Sequence, residues 1–383
     1  MFNNLKLKNF LLNFLLLITS IYLPLFLTSI FLEVNNIIRQ NKILKFSKNN
    51  NHEKIKALKN GFLPFYVPNE IKNYGLENKV YPIGTLPSQK TYFCNEGYGL
   101  IKYKSDQFGL RNNPSNWNKV FQQSNIFLVG DSFPHGACVN KDSTIANQIS
   151  KRTKLNTINL SSAGNGPYEY IATMKSIAKP IISNSAKSNW LILFFYINDN
   201  VRKDKLSERL LLEANSIIDS SSKDEILVDS KYLVNYKNLI SKNYPINKDK
   251  IEFILKNKER FFNKYGKNFK NVFYLISIKK LIKIAWPSWL PYYSNYKSAF
   301  DDDGPTLKSI DFLFSNCKNN CKPLIVLIPQ NKLYTPDNLI NKKYKNFIRS
   351  SAKRYNINLI DGEQFLNLNG TSNFANYGGH LSE

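Results

Sequence analysis

The chain has 383 residues and a formal net charge of +25. That length allows one sizeable α/β domain with additions. The lysines are scattered among Asn and Ile along the whole chain, and no nucleic-acid module is visible. The charge therefore reads as a solvated surface, with residues 39–59 set to meet anionic lipid, and nucleic acid is excluded as a partner. Four cysteines, at 94, 138, 317 and 321, are consistent with an oxidising compartment. Cys317 and Cys321 lack the companion Cys or His ligands of a metal site, which leaves a small disulfide or free thiols. No cofactor is expected.

In chain order, residues 10–32 carry no charge across 23 positions and have Pro24 near their middle. A helix of that length crosses a hydrocarbon core. It is too long for a cleavable signal and no Ala-x-Ala pattern follows, so a retained transmembrane anchor is expected. Lys6 and Lys8 precede it while Arg39, Lys42, Lys45 and Lys48 follow, which leaves its orientation open. Residues 33–60 read as a basic, Asn-rich tether with room to extend the membrane helix. Residues 61–124, rich in Pro, Gly, Tyr and Asn, read as an irregular strap with short strands.

The character then changes. Apolar runs at 126–130, 157–160 and 190–196 alternate with helix-like stretches at 143–154 and 168–178. That alternation predicts a parallel sheet covered on both faces. It breaks over a Lys- and Leu-rich insertion, 200–302, with helical periodicity at 206–218 and 251–264. The insertion's aromatics Trp286, Trp289, Tyr292, Tyr293 and Tyr296 suit packing, or else a sugar platform or membrane-facing surface. Asp301-Asp-Asp-Gly304 lacks the alternating ligand spacing of a calcium loop and reads as a turn and helix cap. The alternation resumes with helix 306–316, strand 323–328, helix 342–355 and strand 358–360.

The most informative stretch is Ile126-Phe-Leu-Val-Gly-Asp-Ser132-Phe-Pro-His-Gly136. A strand-like run stops at a hydroxyl, which lifts Ser132 to the carboxyl end of a strand, where open α/β sheets keep their sites. Serine needs a proton acceptor. Among three histidines, His52 lies in the tether, and His135 sits on the same turn as Ser132, where it reads as wall. His380, beyond the last strand and on the same rim, is the candidate base by elimination and topology. Gly164 and Asn198 follow the second and third strands. With the Ser132 N–H they would form a three-donor oxyanion site. Asp131 and Asp199 read as loop braces.

These four positions resemble the four blocks of the SGNH/GDSL hydrolase superfamily, and the stretches 92–97 and 103–112 resemble the strap of its membrane-anchored bacterial members. The resemblance spans about 90–200 and 305–383. It implies a flavodoxin-like three-layer parallel sheet, split into 125–199 and 303–383 by the helical insertion. It also implies residues 1–9 in the cytoplasm and a catalytic domain outside the inner membrane. The chemistry implied is esterase or O-acyltransferase action on an ester-bearing carbohydrate or lipid, with a non-catalytic glycan-binding module as the rival. The resemblance further makes Cys94 and Cys138 neighbours and a possible disulfide. Two positions depart from the pattern. Tyr196 stands where the third block has Gly, which implies a narrower pocket. Tyr377 stands where the last block has Asp, so His380 needs another orienting group, for which Asp361 or a backbone carbonyl is expected.

Overall fold

The computed structural model describes residues 49–66, 83–201 apart from 119, 304–329, 339–364 and 380–381, with Phe46 and parts of 16–31 and 218–255. They divide into two units, residues 1–55 with 249–294 and residues 56–248 with 295–383. In the first unit residues 22–28 are helical, and Leu23, Leu27 and Phe31 are each more than half exposed. No helix among the described residues is long and apolar enough to cross a membrane. Much of the 10–32 segment read as an anchor lies outside those residues.

The second unit opens with a three-stranded sheet: β1 (Leu63–Pro64), β2 (Lys90–Tyr92) and β3 (Lys102–Lys104). β1 runs parallel to β2, and β3 antiparallel to it. Ala57, at the end of the helix over 49–59, packs with Phe62, Tyr92 and Leu100. The last turn of the expected tether therefore belongs to the folded strap.

The main sheet contains β4 (Asn125–Val129), β5 (Asn156–Asn159), β6 (Asn189–Phe195), β7 (Cys321–Leu327) and β8 (Asn358–Asp361), all parallel, in the order β5-β4-β6-β7-β8. Counted within this sheet the order is 2-1-3-4-5, which doubly wound flavodoxin-type sheets share. Interior strand β4 is buried at every position, with Phe127 and Leu128 fully inaccessible. Burying each such side chain is worth about 1.5–3 kcal/mol. The register begins with asparagines. Asn156 Nδ2 donates to Asn125 Oδ1 at 2.8 Å, and Asn125 Nδ2 donates to Asn189 Oδ1 at 2.9 Å. The bonds tie three strands together at their first residues, and a one-residue slip would break them.

Edge strand β5 is protected by the strap. Asn112 accepts from Asn159 N at 2.7 Å and donates to Asn159 O at 2.9 Å, and Asn116 donates to Thr157 O at 2.8 Å. Side-chain amides thus occupy backbone groups that would otherwise invite a foreign strand.

Among the described residues, the helices that accompany this sheet are α1 (Ser132–His135), α2 (Ile145–Thr153), α3 (Pro167–Thr173), α4 (Lys179–Asn184), α5 (Pro305–Asn316) and α6 (Leu339–Arg354). A π turn, Met174–Ala178, joins α3 to α4. Pro180 has no N–H to continue the ladder, and the turn accommodates it. Right-handed crossovers set α2 on one face of the sheet and α3 to α6 on the other. Accordingly, α5 packs against both α3 and α6. Of the insertion, residues 218–219, 227–228 and five helical positions between 249 and 255 are described, and its aromatics lie outside. Ile218, expected to end a helix, instead pairs with Val228 in a short antiparallel ladder.

Candidate active site

The apolar run of β4 ends at Gly130 because the chain has no room there. A Cβ on Gly130 would sit 2.6 Å from Pro134 Cγ and 3.0 Å from Phe194 Cβ. Asp131 then caps α1, its Oδ1 accepting from Phe133 N at 3.1 Å, and Gly136 closes the helix at φ +77°. Asp131 Oδ2 accepts from Asn198 Nδ2 at 3.3 Å, which couples this turn to the loop after β6. Ser132 is the first residue of α1, at the switch point between β4 and β6 where ligands bind in such sheets.

Ser132 Oγ lies 2.8 Å from His380 Nε2. On the far side of the ring, His380 Nδ1 lies 2.7 Å from Glu96 Oε1. The His380 backbone N–H also donates to Glu96 Oε2, at 3.3 Å. Hydroxyl, imidazole and carboxylate form one hydrogen-bonded line, with Glu96 and His380 largely shielded from solvent.

Glu96 replaces the orienting acid expected at position 361. Asp361, at the end of β8, is committed elsewhere, for its Oδ2 accepts from Arg349 Nε at 2.8 Å and its Oδ1 from Glu363 N at 3.1 Å. The Glu96 loop is held in two ways. Asn95 Oδ1 accepts from Gly97 N and Gly99 N at 2.9 and 3.2 Å, which folds the loop on itself. Cys94 is disulfide-bonded to Cys138, two residues beyond the glycine that ends α1. Donor atoms of Glu96, Cys138 and His380 come within 4.8 Å of one another. Because the Cys138 sulfur is spent in the disulfide, the trio lacks the thiolate a metal would need. Cys317 and Cys321 are likewise bonded to each other.

Aromatic rings wall the site. Tyr196 packs on Phe133 with ring centroids 4.4 Å apart, and Phe133 packs on His380 at 5.1 Å. His135 is buried between Phe65 and Phe93, and its Nε2 meets Tyr103 Oη at 3.2 Å. Burial, aided by the Arg111 and His380 charges, pushes its pKa down to about 3. It stays a neutral wall residue, as expected. Asp199 accepts from Tyr170 Oη at 2.9 Å and from Tyr196 N at 3.0 Å, bracing the β6 loop.

Gly164 adopts φ +87° in the loop after β5, and Ser162 N donates to Gly130 O at 3.3 Å, which draws that loop to the Ser132 turn. The buried oxygens Ser162 Oγ, Asn165 Oδ1 and Asn198 Oδ1 have no hydrogen-bond partner among the described residues. Glu96 is the site residue that sequence reasoning missed. Its signal was its place two residues after Cys94, which the family resemblance already set beside Cys138. No family model matches the chain, and no curated protein matches it.

Proposed function

We propose that the chain is a serine-dependent esterase of the SGNH/GDSL type, acting on acyl esters of carbohydrate or lipid. The observation that carries this reading is the Ser132–His380–Glu96 line, with 2.8 and 2.7 Å links. His380 Nε2 takes the Ser132 proton as Oγ bonds to the acyl carbon. The carbonyl π electrons move to oxygen. On collapse the ester C–O bond breaks, and the alcohol leaves with the proton from His380. Glu96 holds the Nδ1–H tautomer and stabilises the imidazolium.

The Ser132 N–H, the Gly164 N–H and the Asn198 amide receive the negative oxygen, each typically worth about 3–4 kcal/mol of barrier. Water resolves the acyl-enzyme in a hydrolase and a sugar hydroxyl does so in an O-acyltransferase, so the first half-reaction is common to both. Tyr377 in place of the family's acid would favour a non-catalytic glycan-binding module. Glu96 answers that objection by supplying a carboxylate from another part of the chain. We place the domain outside the inner membrane on a single N-terminal helix, supported by two disulfides and the apolar 10–32 segment. The test is turnover of p-nitrophenyl acetate by the full chain in detergent and its loss in Ser132→Ala. A variant that turns over at the parent rate would overturn the assignment.

A further inference from the structure

A groove of about 340 Å3 lies between the strap, edge strand β5 and α2. Lys102, Lys104, Arg111 and Lys141 line it, and no Asp or Glu does. Its volume falls within the roughly 300–1,000 Å3 of small-ligand sites. Lys102 and Lys104 stand two apart on β3, so the strand's period of two points both toward one face. Both are exposed, and neither meets an acidic group among the described residues. Lys141 donates to Asn113 Oδ1 at 2.8 Å, which leaves two of its three hydrogens for a ligand.

The floor is rigid. Arg111 stacks over the Tyr103 ring at 5.0 Å and donates to Gly136 O and, at 3.0 Å, to Val139 O. Tyr103 in turn bonds His135. Two floor residues therefore grip the end of α1, the four-residue helix that begins with Ser132. Four cations in one concavity repel one another and focus a positive potential that an anionic ligand relieves. The walls also offer the Asn113 side-chain N–H groups and the Ser150 hydroxyl oxygen as an acceptor, groups that bond sugar hydroxyls. A flat lipid surface cannot enter such a concavity, whereas an extended sugar chain can.

We propose that this groove binds an acidic glycan, a sugar chain bearing carboxylate or phosphate groups, as a site separate from the Ser132 line. Its binding can be measured whether or not the esterase reading holds. In a Ser132→Ala background, calorimetry is run with an oligogalacturonate, an oligo(mannose 1-phosphate) and a neutral cello-oligosaccharide of equal length. At least one acidic oligomer is expected to bind while the neutral one does not. The Lys102→Gln/Lys104→Gln/Lys141→Gln variant is expected to weaken that binding at least about ten-fold. A matched triple at exposed sites outside the groove, Lys187→Gln/Lys318→Gln/Lys353→Gln, is expected to weaken it far less.

Absence of acidic-oligomer binding, equal binding of the neutral oligomer, or equal losses in the two triples would overturn the proposal. So would phosphatidylglycerol vesicles or duplex DNA that bind through the same three lysines more tightly than either acidic oligomer. Fluorophosphonate labelling of the unsubstituted protein separates the two readings. Labelled protein that binds no acidic oligomer sinks the groove alone, and lysine-dependent binding without labelling sinks the esterase alone.

Discussion

The carboxylate of Glu96 lies 2.7 Å from Nδ1 of His380 across 284 positions of chain. It also accepts the His380 backbone N–H, so a single side chain fixes both the ring and the segment that carries it. The acid comes from the strap, whereas Ser132, Gly164 and Asn198 stand on segments that follow strands of the main sheet.

Glu96→Gln keeps the shape but can turn an NH2 toward Nδ1 and select the wrong tautomer. The expected loss in kcat is roughly 10^3–10^4-fold, by analogy with amide replacement in other triads. Glu96→Asp, shorter but still an acceptor, should recover part of it. Steady-state turnover of an activated ester checks this, and a loss below about ten-fold would move the orienting role elsewhere.

The Cys94–Cys138 bridge spans 44 positions and anchors the Glu96 loop to the end of α1. By loop-closure entropy its removal costs about 4 kcal/mol, against about 2 kcal/mol for Cys317–Cys321, which spans 4 positions. The Cys94→Ser/Cys138→Ser variant should lose roughly 10–100-fold in kcat with less change in KM, since a loosened acid misplaces the ring. The Cys317→Ser/Cys321→Ser variant should keep its rate. Denaturant unfolding and kinetics on the two variants check both halves.

Asp106 organises the strap. Its buried carboxylate accepts from Phe108 N, Leu110 N, Asn112 Nδ2 and Trp117 Nε1 at 2.8–3.0 Å. Burial outweighs these four bonds and pushes its pKa up to about 6. Between about pH 4 and 6 the folded chain therefore holds a proton that the unfolded chain has lost. Its contribution to stability is fully present below that window and shrinks by up to about 1.4 kcal/mol per pH unit as pH rises through it. In Asp106→Asn an NH2 faces a donor, at a cost of about 1–3 kcal/mol. The wild type's stability advantage over that variant should shrink from pH 4 to 6 and then level off. Neutral His135 acts in the opposite direction but equally in both proteins, so it cancels in the difference. Urea titrations across this range check the sign, and an advantage that grew with pH would reverse it.

Gly130→Ala forces a methyl against Pro134 and Phe194, both within 3.0 Å of its position. Overpacking of this kind costs about 1–3 kcal/mol and shifts the turn that presents Ser132. A lowered Tm together with lost turnover is expected. Unchanged values for both would show that the turn has slack.

Much of this was legible in the sequence. The five main strands fall within two residues of their apolar runs, because buried parallel strands must be apolar on both faces. The Ser132–His380 pairing followed from topology, since both lie past carboxyl ends of strands. The helix-like stretch 168–178 continues in the structure to Asn184, because a π turn at Met174–Ala178 accommodates Pro180. For the group that orients His380, the sequence leaves Asp361 or a backbone carbonyl. Nothing local in the sequence announces that Arg349 on α6 claims Asp361. Glu96 was harder to find, since its loop has no periodic pattern and its one signal is its place two residues after Cys94.

The most direct measurement is covalent. The full chain in detergent is treated with a fluorophosphonate probe and the adduct is located by peptide mass spectrometry, in parallel with Ser132→Ala and His380→Ala. A single adduct on Ser132, absent from the first variant and strongly slowed in the second, is expected. An adduct elsewhere, or equal labelling of Ser132→Ala, would contradict the assignment of Ser132 as the nucleophile.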